Sequence, residues 1–242
     1  MTLPARIDVV VPAHDEADGI GACVLALAGA VRASHREHPD VAVAVTVVLD
    51  WCTDGTAGAL AAARDADPLW SSVALTVVAT PRVGVGRARS IGTTTALAAG
   101  PAPASRWTAH TDADSRVDPG WLVQQADAFA AGAHVLVGAV VPDPEDLDPV
   151  VLARWTLAHP PGSTLGHVHG ANLGVRGDVA LALGGFDPVP EHEDVRLVER
   201  ARALGFRIDA TTDLPVVTSG RFDGRTPGGY AEHLRRTYGD AG

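Results

Sequence analysis

"RIDVVVPAHDE", residues 6–16, is a near-continuous β-branched run that breaks off into a charged cluster. Apolar side chains on both faces of a strand belong in the interior of a parallel sheet covered by helices on either side. The next stretch, "ADGIGACVLALAGAVRASHRE" (17–37), has helical periodicity, and "VAVAVTVVLD" (41–50) is a second buried strand. That strand ends in the turn-forming "WCTDGT", where Asp54 or Thr56 is placed to cap an Ala-rich helix over 57–66. The alternation continues. "SVALTVVA" (72–79) reads as strand, "GVGRARSIGTTTALAAG" (84–100) as helix and "RWTAHTDAD" (106–114) as strand. "PGWLVQQADAFAAG" (119–132) reads as a helix starting at Pro119, and "AHVLVGAVV" (133–141) as a fifth strand. Strands separated by helices imply parallel pairing through right-handed crossovers.

Beyond residue 141 the pattern loosens. "PDPEDLDP" (142–149) is an acidic, Pro-rich connection, and residues 153–178 hold Gly, His and Pro in a loop-like stretch. "EDVRLVERARALG" (193–205) resumes a helix that closes on Gly205, and the Gly- and Arg-rich tail ends in a short helix. With no internal repeat and no low-complexity linker, the expectation is one α/β domain over residues 1–242. A nucleotide-type half with a Rossmann-like, mostly parallel sheet spans about 6–141, and a looser half spans about 142–242.

Composition narrows the function. The chain has 242 residues and a net charge of −10, with 29 acidic residues against 19 basic ones, so a nucleic-acid partner is not expected. All the basic residues are Arg and none is Lys; each can grip a phosphate in a bidentate way. No apolar run reaches the 18 or so residues of a membrane span, and the N-terminus lacks a basic leader. Cys23 and Cys52 have neither a disulfide framework nor metal-type spacing, so a cytoplasmic, reduced setting is expected.

In an open α/β sheet, ligands sit beyond the carboxyl ends of the strands. Three polar clusters fall at such ends: "PAHDE" (12–16), "DWCTDGT" (50–56) and "TDADSR" (111–116). Asp112 and Asp114, one residue apart, repel each other unless a solvated turn screens them or a cation lies between them. A hard divalent ion, Mg²⁺ or Mn²⁺, prefers such oxygens and shares its shell with phosphate. Gly84 and Gly86 do not make a dinucleotide fingerprint, because Arg89 stands at the third glycine position and the segment follows the third strand. "EHED" (191–194) gathers Glu191, Glu193 and Asp194 at a helix start, either as capping groups or as carboxylates held near one another, which can serve as a general base.

Taken together these segments resemble family 2 glycosyltransferases of the GT-A fold, from about residue 6 to residue 210. "VVVPAHDEADGI" (9–20), "VVLDWCTDGT" (47–56), "RVGVGRARSIGTTTAL" (82–97), "TDADSRVDPGWL" (111–122) and "GANLGVRGDVALALGGFD" with "EDVRLVERARALGFRI" follow the family's motifs in order. The resemblance implies that Pro12, Ala13, Glu16 and Asp50 line the nucleobase and ribose site, with Arg89 and Asp112 also on the donor. It implies that Asp112 and Asp114 hold a divalent metal against the diphosphate of a UDP- or GDP-sugar. Asp194 would be the base for a small-molecule or lipid-linked acceptor, with Glu193 beside it. Inversion by single displacement is expected; the alternatives are a retaining enzyme, a nucleotidyltransferase or a non-catalytic nucleotide-sugar-binding module, and a homodimer is left open. His14, Asp15, Trp51 and Cys52 depart from the family pattern, and the Q-x-x-R-W motif of processive members is absent. Arg221 and Arg225 sit in a Gly-flanked loop placed to close over the diphosphate or a charged acceptor. His169, Gly170 and Asn172 form a turn at which an acceptor or a further metal ligand would lie, with His167 flanking it.

Overall fold

The computed structural model describes residues 2–160, 162–222, 224 and 230–239. In chain order the elements are β1 (Arg6–Ala13), α1 (Ile20–Glu37), β2 (Ala42–Asp50), α2 (Thr56–Ala66), β3 (Ala74–Thr80), α3 (Val85–Leu97), β4 (Arg106–His110), β5 (Ser115–Arg116) and α4 (Trp121–Ala130). There follow β6 (Val135–Pro142), α5 (Pro149–Ala158), β7 (Leu173–Arg176), α6 (Gly177–Ala182), α7 (Glu193–Ala203), β8 (Ile208–Thr218) and α8 (Tyr230–Tyr238). All eight strands join one sheet in the order β3-β2-β1-β4-β7-β6-β8-β5, so strands from both sides of residue 141 share it.

The period of two along β1 and β2 sorts their side chains between two faces. Ile7, Val9 and Val11, with Val43, Val45 and Val47, meet one buried face of α1, where Ile20, Val24, Leu27 and Val31 recur at helical spacing. The other face carries α3, which lies so close that a Cβ on Gly92 would stand 2.5 Å from Val10 Cγ1. Val135 and Val137 of β6 and Leu173 and Val175 of β7 build a second cluster with Val179 of α6 and Leu197 and Val198 of α7.

Where the sequence reading and the structure differ, the causes are local. Four strands, β3, β2, β1 and β4, are parallel as expected. The fifth expected strand, β6, does not pair with β4; the short β7 lies between them, antiparallel to both. Four residues, "LGVR", are too few to carry a periodicity. Helix α5 occupies part of the loop-like stretch; it starts with Pro149 after Asp148, whose side chain accepts from Val150 N at 2.8 Å. The 11-residue β8 was not expected either, and Leu214, at φ 51°, interrupts it in the left-handed region. Helix α4 begins at Trp121 rather than Pro119, with Asp118 accepting from Gly120 N at 2.7 Å. Gly205, at φ 76°, does follow the end of α7.

At the opposite end of the sheet from those strand-end loops, Asp8 and Arg106 are both buried, and Arg106 Nε and Nη2 reach Asp8 Oδ2 at 2.8 and 2.6 Å. Arg6 Nε lies 2.8 Å from Asp8 Oδ1 without hydrogen-bond alignment. Both arginines also donate to carbonyls at the end of α3, Ala96 and Ala99, satisfying acceptors the helix leaves open. Burial raises the Asp8 carboxyl above its usual range, and the two guanidiniums pull it back only in part. Asp8→Ala would strand Arg106 without its counter-charge. We expect a loss of about 3–5 kcal/mol, read from urea unfolding as a lower midpoint at unchanged slope.

Candidate active site

The carboxyl ends of β1, β2 and β4 point the same way, so the loops 14–19, 51–55 and 111–114 crowd together. The first two are laced to each other. Asp15, at φ 53°, accepts from Thr53 N at 2.7 Å and Asp54 N at 3.3 Å; those backbone bonds, Thr53 first, hold its carboxyl below the usual range. Asp54 accepts from Ala17 N at 3.1 Å and from Thr56 N at 2.9 Å, and Thr56 in turn accepts from Glu16 N at 2.8 Å. The N-cap of α2 is Gly55, without a side-chain cap, rather than Asp54 or Thr56; Asp54, one residue earlier, instead makes a turn onto Thr56 N that ties the two loops together.

Pro12 and Ala13 close β1 and are buried. Asp50 ends β2, but its carboxylate already accepts from Val83 N at 2.7 Å and Gly84 N at 2.8 Å. It holds the loop that enters α3. The Asp50 carbonyl accepts from His14 Nδ1 at 2.6 Å, which places the ring proton on that nitrogen. Trp51 follows at φ 51°, a costly conformation for a bulky residue, and leaves its side chain 53% exposed.

Asp112 and Asp114 occupy the loop after β4, and each meets a different arginine. Arg89, from α3, is 2% exposed; its Nη2 reaches Asp112 Oδ1 at 2.5 Å and its Nε reaches Glu193 Oε1 at 3.2 Å. Its Nη1 is buried without a hydrogen-bond partner among the described residues. Burial opposes the Arg89 charge, but Asp112, Glu193 and Asp194 outweigh it and hold the guanidinium protonated. Burial likewise raises the Glu193 carboxyl, against the pull of Arg89. Arg221, after β8, forms a two-pronged pair with Glu16 at 2.6 and 2.9 Å and reaches Asp114 Oδ2 at 3.0 Å. Asp114 is pushed up to about 6, first by burial and then by the charges of Asp112 and Glu16; Arg221 offsets only part of this.

Asp194 stands in the first turn of α7. Its Oδ2 accepts from Gly170 N at 2.6 Å and its Oδ1 from Val195 N at 2.7 Å, so the carboxylate is pinned at the helix start. Gly170 must be glycine here, since a Cβ would lie 2.4 Å from Arg89 Nη2. His169 is held below its usual range by burial, partly countered by Asp194, and its ring meets Tyr230 edge-on at 6.2 Å. Asn172 does not join this group: its amide is fully buried, accepting from Trp121 Nε1 at 2.8 Å and donating to Ala139 O at 2.9 Å. It fixes the turn from the core side. Arg225 lies outside the described residues.

The arrangement thus unites Glu16, Arg89, Asp112, Asp114, Glu193, Asp194, Gly170 and Arg221, while Asp50 and Asn172 spend their polar groups on the scaffold. Sequence reasoning missed the aromatic wall beside it, where Trp155 stacks on His159 with centroids 4.4 Å apart and Tyr230 lies near His169. Trp155 falls on the helix that looked like loop, so no period exposed it. Among the described residues, no three His, Cys, Asp or Glu side chains are grouped to hold a metal ion by themselves, and no helix is long and apolar enough to cross a membrane.

Three solved structures share this architecture at low sequence identity. TarS residues 1–349 from S. aureus aligns with a TM-score of 0.64 and 15% identity over 89% of this chain and 60% of that one. The chain therefore spans less than two thirds of that relative's length. The mannosyltransferase PcManGT from Pyrobaculum calidifontis, in complex with GDP-Man and Mn²⁺, aligns at 0.63 and 20% identity, over 98% of this chain and 70% of that one. Glucosyl-3-phosphoglycerate synthase from Mycobacterium tuberculosis, in complex with Mn²⁺, UDP and phosphoglyceric acid, gives 0.58 and 16%, over 96% and 77%. No curated protein matches the sequence. The model of glycosyl transferase family 2 matches residues 8–179, most of the chain, and the protein belongs to that family.

Proposed function

We propose that the protein moves one sugar from a nucleotide-diphosphate sugar to a hydroxyl acceptor, with inversion at the anomeric carbon. One observation carries this reading. Asp112, at the end of a central parallel strand, is bridged through one buried arginine, Arg89, to Glu193 at the start of α7, the neighbour of Asp194. A diphosphate site and an acceptor base are thereby held within one connected group, as a single displacement requires. On this reading donor contacts would come mainly from about 6–141 and acceptor contacts from about 142–242. The unpaired thiols of Cys23 and Cys52 are consistent with action in the reducing cytoplasm.

The residues fit a hard divalent cation. Glu16, Asp112, Asp114, Glu193 and Asp194 bring five carboxylates to a site with two guanidiniums, Arg89 and Arg221. Buried negative charge of that kind repels a diphosphate unless a cation is added. Asp112 and Asp114 would hold Mg²⁺ or Mn²⁺, with water and phosphate oxygens completing the shell. Bound there, it would neutralise the charge that grows on the departing nucleoside diphosphate.

The chain's own residues perform the remaining tasks. The strained Asp15 and Trp51 turns, locked to each other's loops, shape the nucleoside end of the cleft. Arg89 fixes Asp112 and Glu193 relative to each other, joining the loop after β4 to the start of α7. The two backbone bonds on Asp194 aim its carboxylate, which takes the proton from the acceptor hydroxyl as that oxygen attacks. His169, with Tyr230 edge-on to it, would flank the acceptor side.

Asp194→Asn keeps the shape but cannot take a proton. We expect kcat to fall by about 10²–10⁴ with little change in donor binding, measured with radiolabelled UDP- and GDP-sugars. A drop below tenfold would rule out Asp194 as the base. Proton NMR of the product reports the anomer, and retention would overturn the single displacement. Metal removal is the second test. With EDTA, transfer should be lost and the stabilisation by donor abolished; with Mn²⁺ restored, donor at 100 times its dissociation constant should add about 2.7 kcal/mol to native-state stability.

A further inference from the structure

Arg221 enters the site from the opposite end of the chain. Thr218 ends β8 and pairs with Ser115 of β5, one residue beyond Asp114; their hydroxyls are 2.9 Å apart. The chain then turns across the 144–146 segment. Ser219 Oγ donates to Asp146 Oδ2 at 2.8 Å, and Gly220 N donates to the same oxygen at 2.8 Å. Gly220 is seated tightly, because a Cβ there would meet Asp143 O, Asp146 Cβ and Leu147 Cγ, each at 3.0 Å. This short strap delivers the guanidinium to two carboxylates that lie on different loops, Glu16 before α1 and Asp114 after β4.

The two contacts are unequal. Glu16 takes both prongs of the fork, at 2.6 and 2.9 Å, whereas Asp114 receives only Nη2, at 3.0 Å, an atom already shared with Glu16. A bidentate pair is the stronger and more directional of the two. Arg221 can therefore give up Asp114 and stay tethered through Glu16.

We propose that Arg221 is a built-in cation that competes with the divalent ion for Asp114. This rests on the metal-binding reading of Asp112 and Asp114 given above. In the free protein its positive charge stands against a carboxylate that would otherwise face Asp112 and Glu16 uncompensated. Loading of the ion displaces the guanidinium from Asp114, and the tether to Glu16 keeps it at the rim. There its freed N–H group turns to the oxygens of the incoming diphosphate. The residue thus lowers affinity for the bare ion and links tight ion binding to arrival of the nucleotide.

The competition is read by titrating Mn²⁺ into the metal-free protein without nucleotide and following the free-ion EPR signal. Arg221→Gln removes the competing charge and should tighten Mn²⁺ binding by on the order of tenfold, the usual size of a coupling between two linked sites. Arg221→Lys keeps the charge but cannot span both carboxylates, so it should fall between Gln and wild type. Circular dichroism melts establish that each variant is folded, and either folded variant suffices. Unchanged or weaker Mn²⁺ binding in a folded variant overturns the proposal, the latter because Arg221 would then support the site rather than contest it. If that occurs while Mn²⁺-dependent transfer by the wild type persists, the proposed function stands without it. If no form binds Mn²⁺ and transfer runs in EDTA, both readings fall.

Discussion

Carboxylates crowded at the ends of parallel strands repel one another, and most of the active end of this molecule is arranged around that repulsion. Asp112, Asp114 and Glu16 come from loops that the sheet forces together, and Glu193 and Asp194 come from the start of α7. Burial of such groups costs free energy unless each finds a cation or a backbone donor. Two arginines supply most of the compensation. Arg89 joins the loop after β4 to α7, and Arg221 joins the loops after β1 and β4 to the strap after β8. The remaining demand is met by backbone N–H groups on Asp50, Asp15 and Asp194.

Those bridges work only because the surrounding backbone comes very close. Gly170 lies against the Arg89 guanidinium, and Gly86, at the start of α3, faces Asp187 O so tightly that a Cβ would stand 2.1 Å away. Gly138 makes room for the Asn172 amide in the same manner. Each glycine sits where a side chain would push a charged or polar group off its partner. Packing and electrostatics are therefore one constraint here: a methyl group added beneath Arg89 would lengthen its bonds to both halves of the site.

The first half of the fold was legible because β1 and β2 are buried on both faces and the helices between them keep a clean apolar stripe. The second half was not, for separate reasons. Helix α5, "PVVLARWTLA", is apolar nearly all round, so no amphipathic period separates it from a loop. Strand β8, "IDATTDLPVVT", is half-buried and carries acids on one face and threonines on both, with a break at Leu214. The acidic pair and the helix-start acids were legible as clusters. What each cluster touches was not: Arg221 and Glu16 are separated by 205 positions, and no local pattern encodes that pairing. Asp50 and Asn172 show the converse. Their types suited ligand contacts, but a carboxylate or amide can equally be used up by backbone groups a few ångströms away.

The absence of lysine from the chain bears on why these bridges can exist at all. An ammonium is a single point of charge on a flexible stem, strongly hydrated and costly to bury. Arg89 is almost fully buried and must touch Asp112 and Glu193 from two different nitrogens. Arg221 must hold both oxygens of Glu16 and still offer Nη2 to Asp114. A planar guanidinium satisfies several acceptors from one fixed geometry, and its weaker hydration reduces the cost of taking it out of water. Lysine at either position could neutralise one carboxylate but would leave the second exposed to its like-charged neighbours. The spacing of acids on separate loops therefore selects arginine at 89 and 221, whatever set the composition elsewhere in the chain.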